Sequence, residues 1–231
     1  MTDEQSKSEN DESERASTDE TSRPVPTGTI DPSTPDEFGL VQLWWGDGKG
    51  KTTAAMGMGF RAGGHGYRVH MVQFMKGGAG SVEDVRGEYE AIEQISGFTY
   101  ENTGHYGWHG FLDGSDDDEH TAQAEGGLAR AKNIIKASKG DTEPIPLDAD
   151  PDEGVHMLIL DEILYAANRG LLDPDEVVEL VESKPDDLEL VLTGGHDRPD
   201  YACEVADLVT HVEKEAHPIE SGHSARKGTE Y

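Results

Sequence analysis

The sequence predicts an α/β fold, a parallel sheet with helices on both faces, behind an acidic N-terminal tail. Three observations carry this expectation. Short apolar runs at residues 39–45, 67–74, 155–160 and 188–193 alternate with stretches of helical spacing, a pattern that calls for right-handed crossovers and strands buried on both faces. The first run passes through a glycine-rich loop straight into an Ala- and Met-rich stretch without proline, which reads as strand, loop and helix. The 231 residues suffice for one well-packed domain and leave little for a second of full size.

Residues 1–37 are rich in Ser, Thr, Glu, Asp and Pro and nearly devoid of large apolar side chains, so they cannot bury enough surface to offset ordering. They are expected to be a disordered acidic tail, with the domain over 38–231. The run GLVQLWW at 39–45 is the first strand, and residues 51–61 form a helix closed by Gly63, Gly64 and Gly66. A second strand at 67–74 exits through glycines 77, 78 and 80, followed by a helix at 81–95 and a strand at 98–103. After the loop GHYGWHGFLDGSDDD comes a helix at 119–138, then an acidic loop at 141–153 and the strand VHMLIL at 155–160. Asp173 caps a helix at 175–182 with Pro174 in its first position. A strand at 188–193, a helix at 199–206 and a strand at 208–212 complete the order, with no internal repeat.

Charge narrows the partners. The chain holds 48 acids and 19 bases, a net charge of −29, the wrong sign for nucleic-acid phosphates or anionic membranes. The excess is not confined to the tail: residues 1–38 hold 11 of the acids and 3 of the bases, leaving 37 against 16 for the rest. Self-repulsion on that scale is largely screened at roughly 1 M salt, where the Debye length is about 3 Å, and points to a halophilic, salt-rich cytoplasm. An ordinary acidic, soluble surface is the competing explanation. Cys203 is the sole cysteine, which excludes an intramolecular disulfide and a thiolate metal cluster and fits a reducing compartment. The N-terminus has no basic start or apolar stretch, and no run approaches the length of a membrane span.

The loop in LWWGDGKGKTT supplies Gly46, Asp47, Gly48, Lys49, Gly50, Lys51, Thr52 and Thr53. Its pattern is that of a phosphate-binding loop, G-x-x-x-x-G-K-[ST], except that Trp45 stands in the first glycine slot. Glycines 46, 48 and 50 would let backbone N–H groups converge on an anion at a helix N-terminus. Lys51 would reach phosphate oxygens, the Thr52 hydroxyl would hold Mg²⁺ (or Mn²⁺), and Lys49 and Thr53 would add donors. The second half of such a site is a carboxylate at the end of a hydrophobic strand, and MLILDE places Asp161 and Glu162 there. Two acids beside an anionic substrate make sense around a cation; a DE pair after a strand also serves as a helix cap.

These residues carry a family resemblance. GDGKGKTTAAMGMGFRAGGHGYRVHMVQFMKG resembles the opening of the P-loop ATP:cob(I)alamin adenosyltransferases of the CobA, CobO and BtuR type, and LILDEI, LLDPDEVVELVESKP, VADLVTHVEKEAHP and ARKGTEY extend the likeness over residues 39–231. The resemblance implies a RecA-like P-loop NTPase sheet and a cytoplasmic homodimer. It implies transfer of the 5′-deoxyadenosyl group of MgATP to Co(I) of cobalamin, cobinamide or cobyrinic acid diamide, with release of triphosphate, in adenosylcobalamin biosynthesis or salvage. It also implies an electron donor that reduces the cobalt. Lys51, Thr52 and Trp108 would be the catalytic residues, Trp108 as an aromatic wedge that strips the lower cobalt ligand, with Tyr106 and His105 behind it. Arg61 matches a family arginine near the nucleotide, and Thr52, Glu162 and Asp161 would hold the metal. Trp108 can equally be a packed loop tryptophan and Arg61 a surface helix residue. The motif TGGH at 193–196 lacks the arginine of a TGR common among relatives, leaving His196 or Arg198 to replace it. The glycines around His105 and His109 argue against a helical metal pair, and Cys203 reads as a packed helix residue. Two other functions fit the loop: a kinase or ATPase acting at the γ-phosphate, and a non-catalytic ATP-dependent corrinoid-binding regulator.

Overall fold

A computed structural model describes residues 28–75, 87–103, 117–138, 143–224 and 226–229. Its centre is a six-stranded sheet in the order β3-β2-β4-β5-β1-β6, every neighbouring pair parallel. The strands are β1 (Val41–Trp45), β2 (Val69–Gln73), β3 (Phe98–Asn102), β4 (Met157–Asp161), β5 (Glu189–Thr193) and β6 (Leu208–His211). The expected α/β class and P-loop type of sheet are what the chain adopts. β5 lies between β1, which leads into the glycine loop, and β4, which ends in the carboxylate pair.

The period of two along the strands divides the core. Val41, Leu43, Trp45, Val72, Leu158, Leu160, Leu190 and Leu192 point to one face, which is covered by α3 (Asp117–Ala137), α4 (Ile163–Asn168), α5 (Pro174–Glu182) and α6 (Asp200–Cys203). Val69, Met71, Met157, Ile159 and Val191 point to the other, against α1 (Lys51–Gly64) and Ile92 of α2 (Gly87–Glu93). The same alternation sends Gln73, Asp161 and Thr193, the last residues of β2, β4 and β5, to the α1 face. All three are fully buried. The apolar strands thus deliver three polar side chains to one spot above the N-terminus of α1.

Most elements fall where the sequence places them, α5 included, with the Asp173 side chain accepting from the Asp175 N–H at 3.0 Å. The exceptions have local causes. α4 went unpredicted because ILYAAN, directly after the Asp161-Glu162 pair, is only six residues long, too short to display helical periodicity. The helix expected at 199–206 is only Asp200–Cys203, and that expected at 81–95 is described from Gly87 to Glu93. Residues 28–37, assigned to the tail from composition, lie against the domain, where Ser33 N–H donates to the Gly66 carbonyl at 2.9 Å.

A buried polar cluster ties the β3 edge to α3. His70, 1% exposed, sets Nε2 3.0 Å from a Glu101 carboxylate oxygen and faces Thr99 Oγ1 across Nδ1 at 2.8 Å. Arg130 of α3 clamps the same Glu101 with Nε at 2.9 Å and also pairs with Asp152. The His70 hydrogen bond, then Arg130, holds the Glu101 carboxyl down at about 2 against a burial effect of opposite sign. Burial pushes His70 below its ordinary value, so it is neutral at neutral pH. The two shifts act in one direction: stability from Glu101 is present above 4.5 and is lost as pH falls through about 2, while His70 resists the protonation that acid imposes below 6.5. Glu101→Gln should lower the melting temperature by several degrees at neutral pH, and the gap to wild type should close as pH drops below 4.5, followed by circular dichroism.

Candidate active site

The backbone reversal after β1 is made by Gly46, not by Trp45. Trp45 remains strand and turns its ring to the face opposite α1, where it stacks on His211 at 3.9 Å with Arg198 at 5.8 Å from its centroid. Gly46 then takes φ +121, and a Cβ there would lie 2.3 Å from the Val212 carbonyl oxygen. A tryptophan in the usual glycine slot is tolerated because the loop proper begins one residue later.

The loop glycines divide their duties. The sequence suggested that glycines 46, 48 and 50 all present N–H groups to an anion; instead Gly46 N–H donates to the Gly195 carbonyl at 2.9 Å and Gly48 N–H to the Val212 carbonyl at 2.8 Å. Those bonds pin the loop to the ends of β5 and β6. Asp47 also braces it, accepting from Lys214 N–H at 3.0 Å. Gly50, at φ +107, starts α1 without a side-chain cap, so the anion-facing donors are the N–H groups of the first helical turn, residues 51–53. Lys49 and Thr53 are exposed beside them.

Lys51 folds back over the loop, its ammonium donating to the carbonyls of Gly46 at 2.6 Å and Gly48 at 3.0 Å. Burial lowers its pKa, and Glu162 opposes that more strongly than Asp161 or Asp47. The charge on Glu162 is therefore the one most closely coupled to Lys51. Glu162 sits in a left-handed conformation at φ +65, outside the usual range of residues with a Cβ, as the N-cap of α4. Its N–H donates to Thr193 Oγ1 at 3.0 Å.

Asp161 is 0% exposed and bonded on both oxygens. Oδ1 accepts from Thr52 Oγ1 at 2.8 Å and from Thr193 Oγ1 at 2.7 Å, while Oδ2 accepts from Gln73 Nε2 at 3.0 Å. Lys51, Thr52, Asp161 and Glu162 are thus brought together as the sequence predicted. Arg61 is not: it lies ten residues beyond Lys51 on α1, about 15 Å along the axis, and lines a cleft with Phe38, Tyr67 and Glu189 at the opposite end of the strands. Trp108, with His105, Tyr106 and His109, lies outside the described residues. Sequence reasoning missed Gln73, Tyr89 and Thr193; the available signal was a polar residue ending a buried strand in VHMVQF and ELVLT.

The residues fit a divalent cation as far as donor chemistry goes, since a hydroxyl and carboxylates are the hard oxygen ligands that Mg²⁺ or Mn²⁺ takes. Among the described residues no group of three or more His, Cys, Asp or Glu could hold a metal by itself. A cation here would share its shell with substrate phosphates, as Mg²⁺ commonly does.

The model of the ATP:corrinoid adenosyltransferase family BtuR/CobO/CobP matches residues 37–231. The chain belongs to this family. It is 36% identical over 208 residues to a corrinoid adenosyltransferase of Sinorhizobium sp., covering 85% of this chain and 82% of that one. It is 34% identical over 196 residues to a corrinoid adenosyltransferase of Pseudomonas aeruginosa, covering 85% of each. Among solved structures, the KaiC-like protein PH0186 from Pyrococcus horikoshii OT3 aligns with a TM-score of 0.48 at 16% identity, over 83% of this chain and 84% of its own. Among the described residues no helix is long and apolar enough to cross a membrane.

In this adenosyltransferase Gly194, at φ +114, follows β5 directly and packs against Glu162. A Cβ there would lie 2.9 Å from Glu162 Cα, from Glu162 Oε2 and from Tyr165 N. Gly194→Ala should displace Glu162, destabilise the fold by about 1–3 kcal/mol and weaken MgATP binding at least tenfold, measured by thermal melts and by titration calorimetry.

Proposed function

We propose that the chain transfers the 5′-deoxyadenosyl group of ATP to the Co(I) of a corrinoid and releases triphosphate. Family membership supports the reaction class. The observation that supports the site is that Thr52, in the first turn of α1, bonds Asp161 beside Glu162, while Lys51 folds over the same loop with Glu162 acting on its charge. The cobalt lone pair forms the bond to C5′, the C5′–O bond breaks, and its electron pair leaves with the triphosphate. Charge grows on that leaving group, so catalysis requires fixed donors at the polyphosphate, each worth about 3–4 kcal/mol of barrier. Lys51 leaves the Gly46 and Gly48 carbonyls for phosphate oxygens, and the N–H groups of residues 51–53 hold the rest. Thr52 and Glu162 would hold Mg²⁺ or Mn²⁺, which supplies further charge neutralisation when bound, while Asp161 orients the Thr52 hydroxyl from behind.

Trp108 acts as the wedge that removes the lower cobalt ligand before reduction by a separate electron donor. The protein works as a homodimer in a salt-rich cytoplasm, where its net charge of −29 is screened. Cobalamin, cobinamide and cobyrinic acid diamide are the acceptors it would use.

Incubation with ATP, Mg²⁺ and chemically reduced cobalamin in molar salt should give adenosylcobalamin and triphosphate in equal amounts, read by absorbance and phosphate chromatography. Release of ADP or orthophosphate in place of triphosphate would assign the site to γ-phosphate chemistry, and tight ATP binding without any product to a regulator. Lys51→Ala should lower kcat by about 10²–10³-fold.

A further inference from the structure

Gln73 is the last residue of β2, fully buried, and its two amide atoms face two different partners. Nε2 donates to Asp161 Oδ2 at 3.0 Å, and Oε1 accepts from the Tyr89 hydroxyl at 2.8 Å. The Tyr89 ring is itself held, stacked on Tyr100 at 4.4 Å with an interplanar angle of 7°. An amide can be turned over without changing its shape, but here the turned form would set oxygen against the Asp161 carboxylate. The donor from Tyr89 favours the orientation in which Nε2 meets Asp161.

The consequence runs one bond further. Asp161 Oδ1 accepts the hydrogen bond of the Thr52 hydroxyl, and a hydroxyl whose hydrogen is engaged in one direction presents its lone pairs in the others. The rotation of the Asp161 carboxylate therefore sets where the Thr52 lone pairs point. Thr193 fixes Oδ1 from β5, and Gln73 fixes Oδ2 from β2. We propose that Gln73, backed by Tyr89, is a positioning residue that sets Asp161 and through it turns the Thr52 hydroxyl toward the cation of the bound nucleotide. This rests on the reading that Thr52 and Glu162 hold a divalent cation with ATP. Ligand-orienting partners of this kind are typically worth 10–100-fold in metal affinity.

The test separates cation binding from ATP binding. The ATP dissociation constant is measured calorimetrically, with EDTA and then with Mn²⁺, for wild type, Gln73→Met, Tyr89→Phe and the double variant, alongside melting temperatures. Gln73→Met keeps the volume but removes the donor. It should leave the constant in EDTA within about twofold and cut the gain on adding Mn²⁺ by about tenfold or more. Tyr89→Phe should cut that gain about threefold, and the double variant should match Gln73→Met, because the path from Tyr89 to Asp161 runs through Gln73. A gain equal to wild type in Gln73→Met overturns the proposal, as does an equal loss with and without Mn²⁺, which marks a packing role. Should Gln73→Met not fold, Tyr89→Phe decides by the same criteria. If wild type itself shows no gain from Mn²⁺, it is the cation reading that fails, a result distinct from variants that gain as much as wild type.

Discussion

The burial of one carboxylate governs the architecture around this site. Asp161 has no exposed surface, and an ionised carboxyl taken out of water costs several kcal/mol unless hydrogen bonds replace its hydration. Three donors do so, Thr52 from α1, Thr193 from β5 and Gln73 from β2. Each comes from a different element, so none can shift without exposing a buried charge to an unfilled partner. The strand order follows the same requirement: β4 lies between β2 and β5, which places Gln73 and Thr193 on either side of Asp161, both on the α1 face.

The phosphate loop is held by a separate set of bonds. Gly46 and Gly48 attach it to β5 and β6 through backbone carbonyls, and these contacts require that no Cβ be present, since one on either glycine would approach a carbonyl oxygen of Val212 or Glu213 to under 3 Å. Rigidity at the loop is thereby obtained from the strands on either side of β1, leaving the first turn of α1 for an anion. Trp45 contributes from below: stacked on His211 and beside Arg198, it anchors the strand end that the loop leaves. One adjacent pair, Trp45 and Gly46, therefore carries both the anchor and the reversal that the familiar motif assigns to a glycine one place earlier.

What the sequence made legible follows from which physics is local. Short continuous apolar runs bounded by glycines and polar loops located the strands, and Asp173-Pro174 located the start of α5 because a cap and a fixed φ act within a few residues. Lys51, Thr52, Asp161 and Glu162 were legible because their motifs bind them to strand ends. Gln73 and Thr193 were not, since their role depends on the strand order, which brings residues 73, 161 and 193 together from well-separated stretches of chain. Arg61 fails for the converse reason: it is near the loop in sequence, but a straight helix carries it to the opposite end of the strands.

Charge sets a last constraint on how such a site can bind ATP. A chain with a net charge of −29 repels a polyanion at long range, and near the loop Glu162, Asp161 and Asp47 all act on Lys51. Attraction must then come from groups at contact distance, where screening by salt is weak, while the repulsion from the distant surface is what salt removes. Backbone N–H dipoles at a helix N-terminus suit this because they carry no net charge to be compensated elsewhere. A cation between the carboxylates and the phosphates suits it further, since it turns the nearest negative charges from opponents of binding into ligands. An acidic protein can hold a polyanion on these terms because the attraction is built at short range and the repulsion acts at long range.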